Sequence, residues 1–286
     1  MTTTAANEIP IWVKAGEAEL LTIVSKPEDV TDLGVVLITG GGWMPSTHRN
    51  RMYVDLAREL AELGCWVARF DYPGVGDSTG VTRVFDSMSP HVREVLAVTD
   101  VLRAKGVERV ALVGTCYGGR TALAASEFVP DLAGLALSAV PVKDYGGSDK
   151  GLGWHARMAW SVRTLKRIPR RYPKYLRILK TILRRLLKFT DPDRSDPISR
   201  AYLRSLQGVL SRGVPILMLH GTQDKHYPAF VTAEQGVLGR LLANHVDLVT
   251  SIRLEGELHG ELWPESQDFT RLHVRKFVER LLSSNP

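Results

Sequence analysis

From Leu33 to Leu282, short all-apolar runs alternate with stretches whose apolar residues recur at helical spacing. That alternation leaves few folds open. "LGVVLITGGGW", "CWVARF", "RVALVG", "LAGLALSAVPV", "VPILMLHG" and "VDLVTSIRLEG" read as buried strands. "RMYVDLARELAEL", "VREVLAVTDVLRAKG", "GRTALAASEFV" and "DFTRLHVRKFVERLL" read as amphipathic helices between and after them. Strands apolar at every position are covered on both faces, and parallel neighbours need crossover helices. The pattern therefore predicts an α/β chain with a mostly parallel central sheet and helices on both faces.

The alternation breaks once. Residues 143–212 are aromatic, basic and helical in patches such as "YLRILKTILRRLLKF". This predicts a core made of residues 1–142 and 213–286, with 143–212 inserted as a basic helical cap over the C-terminal edge of the sheet. Charge is concentrated there. Between Lys143 and Lys188 stand fourteen Lys or Arg and two acids, about +12, although the whole chain carries only +6. Arg163, Lys166, Arg167, Arg170, Arg171, Lys174 and Arg177 are interleaved with Trp160, Tyr172 and Tyr175. Such a face suits an anionic partner: an acyl carrier protein, a coenzyme A phosphate or an anionic membrane surface. A solvated helix face is the plainer alternative. Nothing else matches a nucleic-acid module.

The two cysteines, Cys65 and Cys116, are too few for a disulfide scaffold and read as reduced thiols. The first twenty residues lack an apolar signal core, and no apolar run has the ~20 residues that span a bilayer. The cytoplasm is the expected location. No cofactor or metal site is expected.

Cys65 lies inside "ELGCWVARF" and reads as structural; Cys116 stands at the centre of "VALVGTCYGGR". Strand, G-x-C-x-G, helix is the geometry of a nucleophile elbow. Its turn strains the central residue, demands small neighbours such as Gly114, Gly118 and Gly119, and exposes the nucleophile at a helix N-terminus. The helix dipole there favours a thiolate. The remaining partners should follow in the order acid, then histidine. Asp224 follows the strand "VPILMLHG" and His259 follows "VDLVTSIRLEG", both at C-terminal strand ends where parallel sheets gather catalysts. His259 would take the thiol proton, and Asp224 would fix its tautomer and stabilise the imidazolium. Asp144 is the rival acid. His226 reads as a surface loop residue, His220 as strand-end packing, and Glu257 and Glu261 as solvated; His48 and His91 precede the elbow and fit the order poorly. The oxyanion donors should be the N–H of Tyr117 and one from the "GGGW" turn, Gly41 or Gly42. Trp43, Trp154, Met158 and Trp160 are candidates to line a substrate pocket.

These residues together resemble the α/β-hydrolase superfamily over about Ile11 to Leu282. "FDYPGVGDSTG" is similar to its D-x-x-G-x-G-x-S turn, "HGTQD" to its acid loop and "ELHGE" to its histidine loop. More narrowly, "GGG…STHRN…LARELAELGCWVARFDYPGVGDS" with a cysteine elbow is similar to the exosortase-system-associated hydrolases of the serine-aminopeptidase-like branch. "GTCYGG" also resembles the box of polyhydroxyalkanoate synthases, for which this chain is short; dienelactone hydrolases share a cysteine elbow but not a long basic cap. The resemblance implies an α/β-hydrolase fold. Cysteine in place of the usual serine points away from simple ester hydrolysis. A thioesterase or acyltransferase acting on a small acyl substrate, carrier-bound or coenzyme A-bound and transferred or cyclised, is the leading expectation. A cysteine carboxylesterase or lipase-like enzyme is the alternative, and a non-catalytic binding protein on a hydrolase scaffold the lesser one. Oligomeric state is not legible.

Overall fold

The computed structural model describes residues 7–144 and 198–284 apart from 42, 84 and 88. In chain order the elements are β1 (Asn7–Ala15), β2 (Ala18–Lys26), β3 (Leu33–Ile38), α1 (Met52–Glu62), β4 (Trp66–Phe70), α2 (Val92–Arg103), β5 (Arg109–Thr115), α3 (Cys116–Ala125) and β6 (Leu132–Ser138). After residue 197 come α4 (Arg200–Ser211), β7 (Ile216–Gly221), α5 (Tyr227–Glu234), α6 (Val237–Ala243), β8 (Val249–Leu254) and α7 (Pro264–Ser283). One sheet runs in the order β1-β2-β4-β3-β5-β6-β7-β8. β3 to β8 pair in parallel, as the all-apolar runs require, whereas β1–β2 and β2–β4 are antiparallel.

The side-chain period of two sorts each central strand between two cores. Val36 and Ile38 of β3, Val110 and Leu112 of β5, and Ile216 and Met218 of β7 face α2, α3, α4 and α5. Val35 and Leu37, Ala111 and Val113, and Leu217 and Leu219 face α1 and α7. Each fully buried Leu, Ile or Val contributes about 1.5–3 kcal/mol, so both faces must be covered for this sheet to be stable.

One boundary differs from the sequence expectation. Helix α4 lies within the stretch assigned to the cap, yet Tyr202, Leu206, Val209 and Leu210 belong to the α3 side of the core. These four recur at i, i+4, i+7 and i+8, an amphipathic face that fits either body; only the fold decides which it covers. Ser199 caps the helix, its hydroxyl accepting from Tyr202 N at 3.3 Å.

The topology also chooses the site. β3 pairs with β4 on one side and β5 on the other, so the strand order reverses there and the chain leaves both C-terminal ends over a common crevice. Ile38 is in register with Gly114. The glycine loop after β3 and the cysteine turn after β5 are therefore neighbours. Close contact makes Gly118 obligatory: a Cβ there would collide with the carbonyl oxygens of Ile38 and Thr39, which are backbone and cannot swing away. Gly118→Ala is expected to cost about 3 kcal/mol as overpacking, a fall of roughly 6–12 °C in melting temperature for a chain of this size. Gly208→Ala in α4, where nothing lies within 4 Å of the added carbon, should instead gain up to about 1 kcal/mol of helix propensity. Thermal unfolding of the two variants checks the contrast.

Candidate active site

Cys116 is the first residue of α3 and has φ 48, the left-handed conformation expected at the centre of the elbow. A bulky residue holds that conformation only where its surroundings impose it, at a cost of about 1–3 kcal/mol. Here the tight stacking of Gly114 on Gly118 and of Gly118 on the β3 carbonyls imposes it. The side chain is 7% exposed. Its Sγ is 3.9 Å from His259 Nε2, so the thiol and the imidazole predicted to act on it are in hydrogen-bonding reach for sulfur.

The thiol is not a preformed thiolate. Burial pushes it up to about 12, and the charges of Glu261 and Asp224 push the same way; a hydrogen bond from the Tyr117 N–H works in the opposite direction. The helix N-terminus, expected to favour the thiolate, is outweighed by desolvation.

Asp224 stands at the end of β7 and is buried. Its carboxylate accepts three backbone N–H groups: Oδ1 from Leu258 at 2.8 Å and from His259 at 2.6 Å, Oδ2 from Gly221 at 3.1 Å. Burial raises its pKa above the usual carboxylate range, offset in part by those bonds and by the charge of His259. The contact differs from the expected one. The acid grips the backbone of the histidine loop, while His259 Nδ1 is buried with no hydrogen-bond partner among the described residues. The carboxylate thus holds the histidine loop by its backbone and makes no direct bond to the imidazole ring that would select its tautomer.

The glycine loop expected to supply an oxyanion donor follows β3. A Cβ on Gly40 would lie 3.1 Å from Cys116 Cβ, so this backbone passes directly beside Cys116. Gly41 has φ 78, and its carbonyl accepts from Met44 N at 3.3 Å, closing a turn. Two preceding carbonyls are bound away from the site. Tyr53 OH donates to Ile38 O at 3.1 Å and Tyr72 OH to Thr39 O at 3.2 Å. Asp71, first residue of the "DYPGVGDS" turn, accepts from Ser46 N at 2.5 Å and fixes the far end of the loop. Tyr53, Tyr72 and Asp71 escaped the sequence reading. The tyrosines look like ordinary helix-face and strand-end residues, and only Asp71 had a signal, its place in the turn motif.

Trp43, at the rim of this loop, is 64% exposed, and Tyr117 stacks on Phe85 with centroids 4.0 Å apart. Gly42, Trp154, Met158 and Trp160, together with the basic residues from Lys150 to Lys188, lie outside the described residues.

The remaining candidates sort by their contacts. Asp144 pairs with Arg120 of α3 at 2.7 Å and is committed to that guanidinium. His220 stacks on Phe230 at 3.7 Å, buried and held neutral with its pKa lowered to about 3, which is the packing role expected. Cys65 is buried, its thiol raised to about 12 by desolvation. His91 packs on Tyr72 and lies 3.5 Å from Glu94. His226 is closer to the site than a surface residue should be: its ring meets that of His259 edge-on at 5.1 Å, and burial with the neighbouring charges lowers its pKa to about 4. Glu257 is exposed, as expected. Glu261 is not solvated; at 1% exposure it is among the most buried charged-type residues described, because Ser138 and Thr270 supply donors that a two-residue window around His259 cannot reveal. Among the described residues no cluster of three or more His, Cys, Asp or Glu side chains could hold a metal ion, and no helix is long and apolar enough to cross a membrane.

Comparison with known proteins agrees with this architecture. The sequence profile of the alpha/beta hydrolase family matches residues 35–281. No curated protein matches the chain significantly. Among solved structures, an esterase of Pyrococcus furiosus superposes with a TM-score of 0.61 at 15% identity, covering 97% of this chain and 92% of that one. A proline iminopeptidase of Mycobacterium smegmatis gives 0.52 at 19% identity over 97% and 100% of the two chains. An α/β serine hydrolase without a lid from Xanthomonas campestris gives 0.55 at 19% identity over 98% and 97%. At these identities the likeness is one of fold.

Proposed function

The chain belongs to the alpha/beta hydrolase family, and on that premise we propose an acyl-enzyme-forming hydrolase or acyltransferase of thioesterase type that works through Cys116, His259 and Asp224. The observation that carries the reading is the 3.9 Å approach of Cys116 Sγ to His259 Nε2 from a left-handed elbow. In this reading Sγ attacks the acyl carbon while its proton passes to His259 Nε2. The oxyanion that forms is met by the N–H of Tyr117 and one from the Gly41–Gly42 turn. Collapse of the tetrahedral intermediate expels the leaving thiol or alcohol, which takes the proton back from His259. Water or an acceptor nucleophile then attacks the acyl-enzyme along the reverse path, with His259 as base.

Sulfur favours thioester substrates. Exchange of one thioester for another is nearly balanced in energy, and the enzyme thioester stays activated for transfer to an amine, a hydroxyl or an internal nucleophile. An alkyl ester delivers the same intermediate only by expelling an alkoxide, a worse leaving group than a thiolate. A cysteine carboxylesterase is the second reading, favoured by the esterase fold of the Pyrococcus protein. A binding protein on the hydrolase scaffold is the third.

Parallel incubation with an acyl-coenzyme A and a p-nitrophenyl ester of the same acyl group tests the three. The expected result is a Cys116 adduct by intact mass with both donors, because p-nitrophenolate is a good leaving group like the thiolate. Turnover of the ester alone supports the esterase, and inertness to both supports the binding protein. The basic segment adds a further expectation. Turnover of carrier-bound or coenzyme A-bound substrate should fall several-fold between low and physiological salt, because screening acts over about 8–10 Å. A flat salt profile counts against an anionic partner.

A further inference from the structure

Two buried polar side chains beside the site take no part in the chemistry above. Glu261 follows His259 in the loop before α7, and His48 follows the oxyanion glycines in the loop before α1. Both backbones have a positive φ, 48 at Glu261 and 58 at His48. Strain of this kind persists only where the surroundings over-determine it, and it clusters at functional sites. The two side chains approach each other in the interior: Glu261 Oε2 lies 3.3 Å from His48 Nε2, each 1% exposed, and Oε2 has no other polar neighbour to satisfy it among the described residues. Glu261 Oε1 accepts from Ser138 Oγ at 3.1 Å and from Thr270 Oγ1 at 3.0 Å. Each end is also tied to its own loop. Gln267 Nε2 donates to Glu261 O at 2.8 Å, and the His48 ring lies 5.0 Å from the ring of Tyr53, the residue that binds the β3 carbonyl.

We infer, resting on the acyl-enzyme reading, that Glu261 and His48 are a positioning pair that couples the loop of the base to the loop of the oxyanion donors through the uncharged 3.3 Å contact of Oε2 with Nε2, which becomes a hydrogen bond when the site is engaged. The partners explain why it is uncharged. Oε1 receives both hydroxyl donors, which leaves Oε2 to carry the proton and face the imidazole. Burial pushes the Glu261 carboxyl up to about 8 and the His48 imidazole down to about 4, so both are neutral near pH 7. The ionisable groups whose charges reach the pair are Asp224, Cys116 and Tyr53, with Arg49 beside His48. Loss of the Glu261 proton places a negative charge near Cys116 and opposes thiol ionisation. Glutamine reproduces the neutral pattern, its carbonyl accepting from Ser138 and Thr270 and its N–H donating to His48.

The test compares wild type with Glu261→Gln, Glu261→Ala and His48→Ala, using the p-nitrophenol burst from p-nitrophenyl acetate across pH. Glu261→Ala and His48→Ala should lose about 100-fold in burst rate with KM within about threefold, the signature of a misplaced rather than a missing group. Glu261→Gln should stay within about fivefold at pH 7 and lose the wild-type decline above about pH 8. A glutamine variant as impaired as alanine, or one that keeps the wild-type alkaline decline, overturns the pair. If the alanine variants do not fold, the glutamine profile decides alone. Alkylation of Cys116 by iodoacetamide, resolved from Cys65 by peptide mass spectrometry, needs no acyl substrate. A wild type without a burst whose Cys116 alkylation profile still shifts in Glu261→Gln keeps the pair and removes the acyl-enzyme reading; superimposable alkylation profiles remove the pair.

Discussion

Cys116→Ala is expected to abolish the covalent acyl adduct and to lower turnover of a thioester donor by about 10⁴-fold or more, the scale on which loss of a nucleophile acts. The side chain is small and lies at a strand-to-helix turn held by glycine contacts, so the variant should fold normally. Cys116→Ser is the more informative exchange. In a site with a ready-made thiolate, serine would lose an ionised nucleophile outright. Here burial holds the thiol near 12, so either residue must surrender a proton to His259 during attack. The serine oxygen is also reached by a shorter bond from Cβ than sulfur is, which widens the 3.9 Å gap to the imidazole. We expect about 10²–10³-fold slower acylation, with a residual oxygen-ester adduct visible by mass. An undiminished adduct in Cys116→Ala would falsify the assignment of the nucleophile.

The placement of the candidate site's residues was legible because its signals are local. The elbow needs glycines at fixed offsets from Cys116, and Asp224 and His259 each follow an all-apolar run at a strand end. What stayed hidden depends on distant partners. Glu261 looks solvated in "ELHGELWP", and its burial rests on Ser138, 123 residues away in sequence, and on Thr270. β1 and β2 form an antiparallel hairpin at the sheet edge, with β1 only partly buried. Their mixed polar and apolar residues make a weaker signal than the all-apolar central strands. Helix α4 showed its apolar stripe, but a stripe does not name the surface it covers. The Asp224 contacts could not be foreseen in kind, because a sequence places an acid in a loop without saying whether it meets an imidazole or a backbone N–H.

Those contacts set the second large effect. His259→Ala should leave the fold intact and slow acylation about 10³-fold. Asp224→Asn should cost both activity and stability, for a geometric reason. Its carbonyl oxygen can still accept from Leu258 and His259, but its amide nitrogen then faces the Gly221 N–H, donor against donor, at a position where the carboxylate accepts at 3.1 Å. Leaving that buried donor unsatisfied costs about 1–3 kcal/mol. The penalty should change with pH in a defined direction. The folded pKa of Asp224 is raised, so the stability this group contributes is fully present below the ordinary aspartate value and is lost as pH rises through the folded value. Asparagine has no such titration. The stability gap between wild type and Asp224→Asn should therefore be wider at pH 4 than at pH 7, measured by urea unfolding. If the acid acts only through the histidine, the double variant His259→Ala with Asp224→Asn should acylate no more slowly than His259→Ala alone. Additive losses in that cycle would give Asp224 a role independent of the imidazole.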